Sequence, residues 1–110
     1  MKTYVFDIDG TICKKQKDED YSLSLPIVSR IKKINKLFDD GNKIIFFTAR
    51  GMGRNYGDVD KCYKEFYDLT NKQLVDWRVK YHKLILGKPS ADIYVDDKGI
   101  QDIKFFESLD

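Results

Sequence analysis

The residues that could do chemistry are few, and they fall in four places. Asp7 and Asp9 stand two apart, just ahead of Gly10 and Thr11. Thr48 follows the apolar run 44–47, Lys88 follows 84–86, and Asp96-Asp97 follow 93–95. Each group lies at or just after the carboxyl end of a run with the length and composition of a buried strand. A carboxylate cluster, one ammonium and one hydroxyl are what phosphoryl transfer through an aspartyl-phosphate requires. Several carboxylates in one pocket repel one another and call for a divalent cation. An all-oxygen, incomplete cage with room for water and phosphate suits Mg2+ better than Zn2+. In such a site Asp7 can attack phosphorus. Asp9 can protonate the leaving oxygen and later activate water. Lys88 and the Thr48 hydroxyl can hold the equatorial phosphate oxygens, with backbone N–H groups at Gly10 and Ala49 as further donors.

The elements that must bring these groups together can be read from the periodicity. Residues 4–8 form a short apolar strand ending in acid, broken by Gly10-Thr11. The polar run 14–20 is a loop. Ser24-Leu25-Pro26 marks a helix start, and Ile27, Ile31, Ile34 and Phe38 share one helical face before Gly41 ends it. Residues 43–47 are a second strand. Residues 51–58 carry three glycines and are expected to be an exposed, adaptable loop bordering the site. Helical spacing resumes at Val59, and the capping-box pattern at 70–73 predicts a separate helix from there. Residues 83–86 and 92–95 are strands three and four, and Ile100, Ile103, Phe106 and Leu109 mark a closing helix. Strands alternating with helices predict an α/β fold: a parallel sheet of about four strands with helices on both faces. The ligand crevice of such a sheet lies outside the strands' carboxyl ends.

With those residues in view, VFDIDGTI at 5–12, FFTAR at 46–50, LGKP at 86–89 and YVDD at 94–97 resemble the four motifs of the haloacid dehalogenase (HAD) superfamily, in the family's order and over nearly the whole chain. The resemblance implies a Rossmann-like HAD core, Mg2+-dependent phosphatase activity, and Asp7 as nucleophile. It implies Asp9 as acid/base and as a metal ligand through its carbonyl, and Thr48 and Lys88 as phosphate binders, with Gly10, Thr11 and Ala49 beside them. Asp97 aligns best with the direct metal ligand, and Asp96 with a neighbour that holds Lys88 or a metal-bound water. Arg50 reads equally as a substrate contact or a surface salt bridge. The dozen residues after Thr11, and the stretch from Gly51 to Leu86, are too short to add a cap domain, so residues 1–110 read as one capless domain with an open site. The small size and the TARG-like second motif are similar to short phosphatases of capsule and surface-polysaccharide biosynthesis. That points to a sugar or polyol phosphate as substrate, and to a homo-oligomer that completes the open site.

Composition narrows the alternatives. With 20 basic and 18 acidic residues in 110, the formal charge of +2 argues against a dedicated nucleic-acid binder. No apolar run reaches the roughly 20 residues that span a bilayer. The amino-terminal MKTYVFDIDG does not read as a signal peptide. Cys13 and Cys62 lack zinc-type spacing, so a reducing cytoplasm is the simplest home. His82, the one histidine, is expected to be structural. Two other readings stay in view. A polynucleotide or phosphoprotein phosphatase would use the same open site. A receiver-like phospho-switch would need its adjacent acidic pair on the first strand and its phosphorylated Asp on the third, the reverse of the order here.

Overall fold

A computed structural model describes residues 1–16 and 20–110. Three strands form the sheet: β1 (Thr3–Phe6), β2 (Lys43–Thr48) and β3 (Lys83–Leu86). All pair in parallel in the order β1-β2-β3, with Phe6 opposite Phe46 and Thr48 opposite Leu86. Their apolar character suits a sheet covered by helices. Ile44 and Phe46 of β2 are fully buried, as are Ile8 and Ile12 just past β1. Each such side chain contributes roughly 1.5–3 kcal/mol by leaving water.

Helix α1 (Val28–Asp39) buries Ile31 and Ile34, as its spacing requires. It begins later than Ser24-Leu25-Pro26 suggests. Pro26 instead bridges Cys13, and the Ile27 N–H donates to Ile12 O at 2.8 Å, so this stretch is held against the loop that follows Asp9. Gly41 ends the helix at φ +95°, with its N–H on Phe38 O and that of Asn42 on Leu37 O. Helix α2 (Val59–Asp76) is capped by the Asp58 carboxylate, which accepts from Lys61 N at 3.2 Å. It runs unbroken through 70–73, where a second helix start was expected. Thr70 and Gln73 are buried there and bond Arg50, so the capping-box residues serve a tertiary contact. Helix α3 (Asp102–Ser108) closes the chain and docks Phe106 on Phe6.

Two expectations need correction. The sheet has three strands, because 92–95 pairs with nothing and all of 91–100 is exposed. Its side chains find other partners: the Tyr94 hydroxyl donates to Pro89 O and accepts from Ala91 N. Nor is all of 51–58 an open loop, although Gly53, Arg54, Tyr56, Gly57 and Asp58 are exposed as expected. Gly51 and Met52 are buried, and turn bonds (Asn55 N to Gly51 O, Gly57 N to Met52 O) fold it on itself. The polar run 14–20 lies partly outside the described residues. Among the described residues, turns and α2 alone separate β2 from β3. Among the described residues no helix is long and apolar enough to cross a membrane. His82 is structural as expected, its Nδ1 accepting from Ile44 N at 3.1 Å and its ring stacked on Phe38.

Candidate active site

The strand order decides where a ligand goes. In a receiver-type sheet β1 lies between β2 and β3. Here β2 is central. The order is that of one half of a doubly wound sheet, whose crevice opens where the order reverses, beside β1. Asp7 directly follows β1, Thr48 ends β2, and Lys88 stands two residues past β3. Lys88 N–H donates to Thr48 O at 3.1 Å, tying the ends of β2 and β3 together. The Lys88 ammonium thereby reaches Asp7, with Nζ 3.8 Å from Oδ1, while resting 4.4 Å from the centre of the Tyr94 ring. Both groups open onto a cavity of about 1090 Å³ along the outer edge of β1, lined also by Thr11, Tyr94 and Phe105.

Burial raises the Asp7 pKa above the usual aspartate value; the Lys88 ammonium, the Ile8 N–H and Lys15 pull it down, and Asp9 pushes it up. Lys15 was not singled out by the sequence, since it sits in a polar run that reads as solvated. Its chain lies over Gly10, with Cε 3.1 Å from where a Cβ on Gly10 would stand. No spacing rule predicts that contact. Only the positive φ of Gly10, +83°, folds the loop back to make it.

Asp9 meets a different cation. Arg50 Nε donates to its Oδ2 at 2.9 Å and Nη2 to its Oδ1 at 3.0 Å, a bidentate pair. Arg50 is 1% exposed. Its Nη1 donates to Gln73 Oε1 at 2.6 Å and Thr70 Oγ1 at 3.2 Å, and its guanidinium carbon lies 4.7 Å from the centre of the Tyr21 ring. Of the two readings of Arg50 from sequence, the structure supports an ion pair, but a buried one. Tyr21, Thr70 and Gln73 are site-shaping residues that the sequence did not reveal. The only trace was the capping-box pattern, which reads as a helix start.

The remaining expected donors are partly engaged. Gly10 N–H donates to Cys13 O at 2.8 Å and Thr11 N–H to Ile8 O at 3.0 Å, so both close the turn after β1. The Thr48 hydroxyl is buried and accepts from Arg50 N at 3.2 Å, which leaves its own proton to donate. Ala49 is half-buried at the same turn. The carboxylates of Asp7, Asp96 and Asp97, expected with the Asp9 carbonyl around a metal, are not gathered: among the described residues no group of three or more His, Cys, Asp or Glu side chains is placed to hold one. The reasons are local. Asp96 Oδ1 accepts from Lys98 N and Gly99 N, which lowers the Asp96 pKa, and Asp97 is exposed on the unpaired segment 91–100. By donor chemistry the set still fits Mg2+. It is anionic and all-oxygen, and Asp7 is a partly desolvated carboxylate facing the Lys88 ammonium at 3.8 Å.

No protein-family model matches the chain, and no curated protein matches it in sequence. Solved structures do. A crystallised target protein from Vibrio cholerae is 27% identical, with a TM-score of 0.89 over 99% of this chain and 94% of that one. D,D-heptose 1,7-bisphosphate phosphatase from B. bronchiseptica, complexed with magnesium and phosphate, superposes at TM-score 0.56 and 15% identity, over 84% of this chain and 52% of that one. A chain of the Pnkp1/Rnl/Hen1 complex superposes at 0.58 and 17%, over 96% of this chain and 33% of that one. The present chain thus spans about half of the first of these two and a third of the second. The fold that carries Asp7, Thr48 and Lys88 is therefore the small α/β, HAD-like fold that the four motifs predict, built on a parallel sheet of three strands.

Proposed function

We propose that residues 1–110 form one capless phosphatase domain that hydrolyses a phosphomonoester through an aspartyl-phosphate on Asp7. The observation that carries this reading is the Lys88–Asp7 contact at the carboxyl ends of parallel strands, beside an open cavity. The Asp7 carboxylate attacks phosphorus and the ester oxygen departs. Lys88 and the Thr48 hydroxyl hold the equatorial oxygens while charge redistributes over them. Asp9 delivers the proton to the leaving oxygen and takes one from the water that cleaves the acyl-phosphate. Asp7, the Asp9 carbonyl, Asp97 and Asp96 are the residues that would hold Mg2+. When bound, the ion would offset the repulsion between the anionic nucleophile and an anionic phosphate.

For the substrate we favour a sugar or polyol phosphate of polysaccharide precursor synthesis, acted on in the cytoplasm. The likeness to a heptose bisphosphate phosphatase supports that class. The likeness to a chain of the Pnkp1/Rnl/Hen1 complex supports a second reading, a polynucleotide end, which an uncapped site would also admit. A second copy of the chain could complete the open site. The test is phosphate release from a panel of sugar, polyol, nucleotide and peptide phosphates with Mg2+, alongside Asp7→Asn. Release from one class that is lost in Asp7→Asn, with beryllium fluoride seen on Asp7 in a crystal, supports the reading. Turnover that survives Asp7→Asn, or fluoride on Asp9 or Asp97, overturns it.

A further inference from the structure

Arg50 has five N–H donors, and every one has an acceptor within the chain. Nε and one Nη2 proton go to the two Asp9 oxygens, and the two Nη1 protons go to Thr70 and Gln73. The second Nη2 proton faces Cys13 Sγ at 4.0 Å. No donor remains for a phosphate or a sugar hydroxyl, and the side chain is fully enclosed. We propose that Arg50 is a positioning residue: it acts on the reaction through Asp9 by fixing the rotamer and place of that carboxylate, and never touches substrate. This rests on the phosphatase reading of the Asp7–Asp9 site.

The surroundings hold Arg50 as firmly as Arg50 holds Asp9. Gln73 bonds it through Oε1 and, through Nε2, donates to Tyr21 O at 2.5 Å. The Tyr21 ring lies against the guanidinium, and its hydroxyl accepts from Gly51 N at 3.2 Å. The clamp thus joins the turns after β1 and β2, helix α2 and the segment around Tyr21. A planar fork is needed for two parallel bonds to a carboxylate, and a lysine ammonium cannot replace it. A carboxylate displaced by about 1 Å from its working place loses on the order of 10²-fold in rate.

The experiment is a double-mutant cycle with Arg50→Lys and Asp9→Asn, read as kcat and KM for a phosphomonoester the wild-type chain hydrolyses. Arg50→Lys should lower kcat by about 10²-fold with KM within about twofold. In the Asp9→Asn background it should cost less than about threefold more, because Asp9 is the route by which it acts. Multiplicative losses, or a raised KM with kcat intact, overturn the proposal; the second outcome makes Arg50 a substrate ligand. If Arg50→Lys does not fold, Gln73→Met, which keeps the ion pair and removes one anchor, enters the same cycle with the same criteria. Hydrogen exchange at the Arg50 Nε–H is read without substrate. It should be slow in the wild type and fast in Asp9→Asn, and fast exchange in the wild type overturns the clamp. A protected Nε–H in a chain that hydrolyses no phosphomonoester would sink the phosphatase reading and leave Arg50 as the residue that places Asp9.

Discussion

Gly51 and Gly57 allow backbone strain to be separated from packing, because both sit at φ +81°. An alanine at either position meets the same left-handed penalty, about 1–2 kcal/mol, offset by about 0.4–1 kcal/mol from the stiffer unfolded chain. At Gly57 a Cβ meets nothing within 4 Å, so Gly57→Ala should cost no more than about 1.6 kcal/mol. At Gly51 the Cβ would stand 2.6 and 2.7 Å from Phe66 Cδ2 and Cε2, and 3.2 Å from Cys62 Sγ. Phe66 has little room to yield. It is buried, its ring meets Tyr21 edge-on at 5.0 Å between centroids, and Arg54 lies 5.2 Å over it. Overpacking of that kind adds about 1–3 kcal/mol, for a total of about 1–5 kcal/mol in Gly51→Ala. At about 4 °C per kcal/mol for a domain of this size, Gly51→Ala should melt roughly 4–12 °C below Gly57→Ala by circular dichroism. A displaced Phe66 pushes on Tyr21 and so on Arg50, so phosphatase activity should fall in the Gly51 variant and hold in the Gly57 variant. Equal melting temperatures for the two would show that the tight seat of Gly51 under Phe66 is wrong.

Three further outcomes can be checked. Asp7→Asn should abolish turnover yet raise the melting temperature at pH 7. Burial raises the folded-state pKa of Asp7, so its contribution to stability is complete below the unfolded value of about 3.8 and is lost as pH rises through the folded value; the gap between variant and wild type should close in acid, and a gap that widens there would contradict the burial effect. Excess chelator should remove hydrolysis of an aryl phosphate and added Mg2+ should restore it, while Lys88→Ala in the presence of Mg2+ should retain on the order of 10⁻² to 10⁻³ of the rate; full activity in chelator would remove the metal from the mechanism. Both cysteines are buried and the Cys13 thiol is pushed up to about 12 by burial and by Asp9, so neither should react with iodoacetamide at pH 8 until urea unfolds the chain; rapid labelling of Cys13 in the native protein would place it at the surface.

What the sequence made legible was local. The apolar runs at 44–47 and 84–86 are strands because only a covered parallel sheet accommodates so many apolar residues in succession. The spacing of Ile31 and Ile34 places one face of α1 in the core. Thr48 and Lys88 come together because both follow the ends of neighbouring strands, which a parallel sheet must align. What was not legible depends on distances across the fold. The capping-box pattern at 70–73 is ambiguous in one dimension, since the polar side chains that cap a helix can equally bond a buried guanidinium. Nothing in residues 14–20 marks Lys15 as the one that returns to Gly10. The apolar alternation of 92–95 predicts a strand, yet a strand forms only where a partner edge is aligned with it, and the run itself does not carry that alignment.

The two carboxylates of the DxD pair end in opposite electrostatic situations, and their spacing is the cause. Side chains two apart on a strand would share a face, but β1 ends at Phe6 and the turn bonds from Thr11 N and Ile12 N to Ile8 O curl the chain between them. Asp7 is left toward the outer edge of β1 with a lysine ammonium, and Asp9 is paired with a guanidinium that is itself enclosed. An ammonium is a point charge with three rotatable donors that suits a phosphate whose charge moves from one oxygen to another; a guanidinium with all five donors engaged is held in one geometry. The proposed nucleophile thus has an adaptable partner and the proposed proton carrier a fixed one. That division suits the proposed reaction, in which the phosphoryl group would travel toward Asp7 and away again while the water and the leaving oxygen must both be met from one place, the position that Arg50 sets for Asp9.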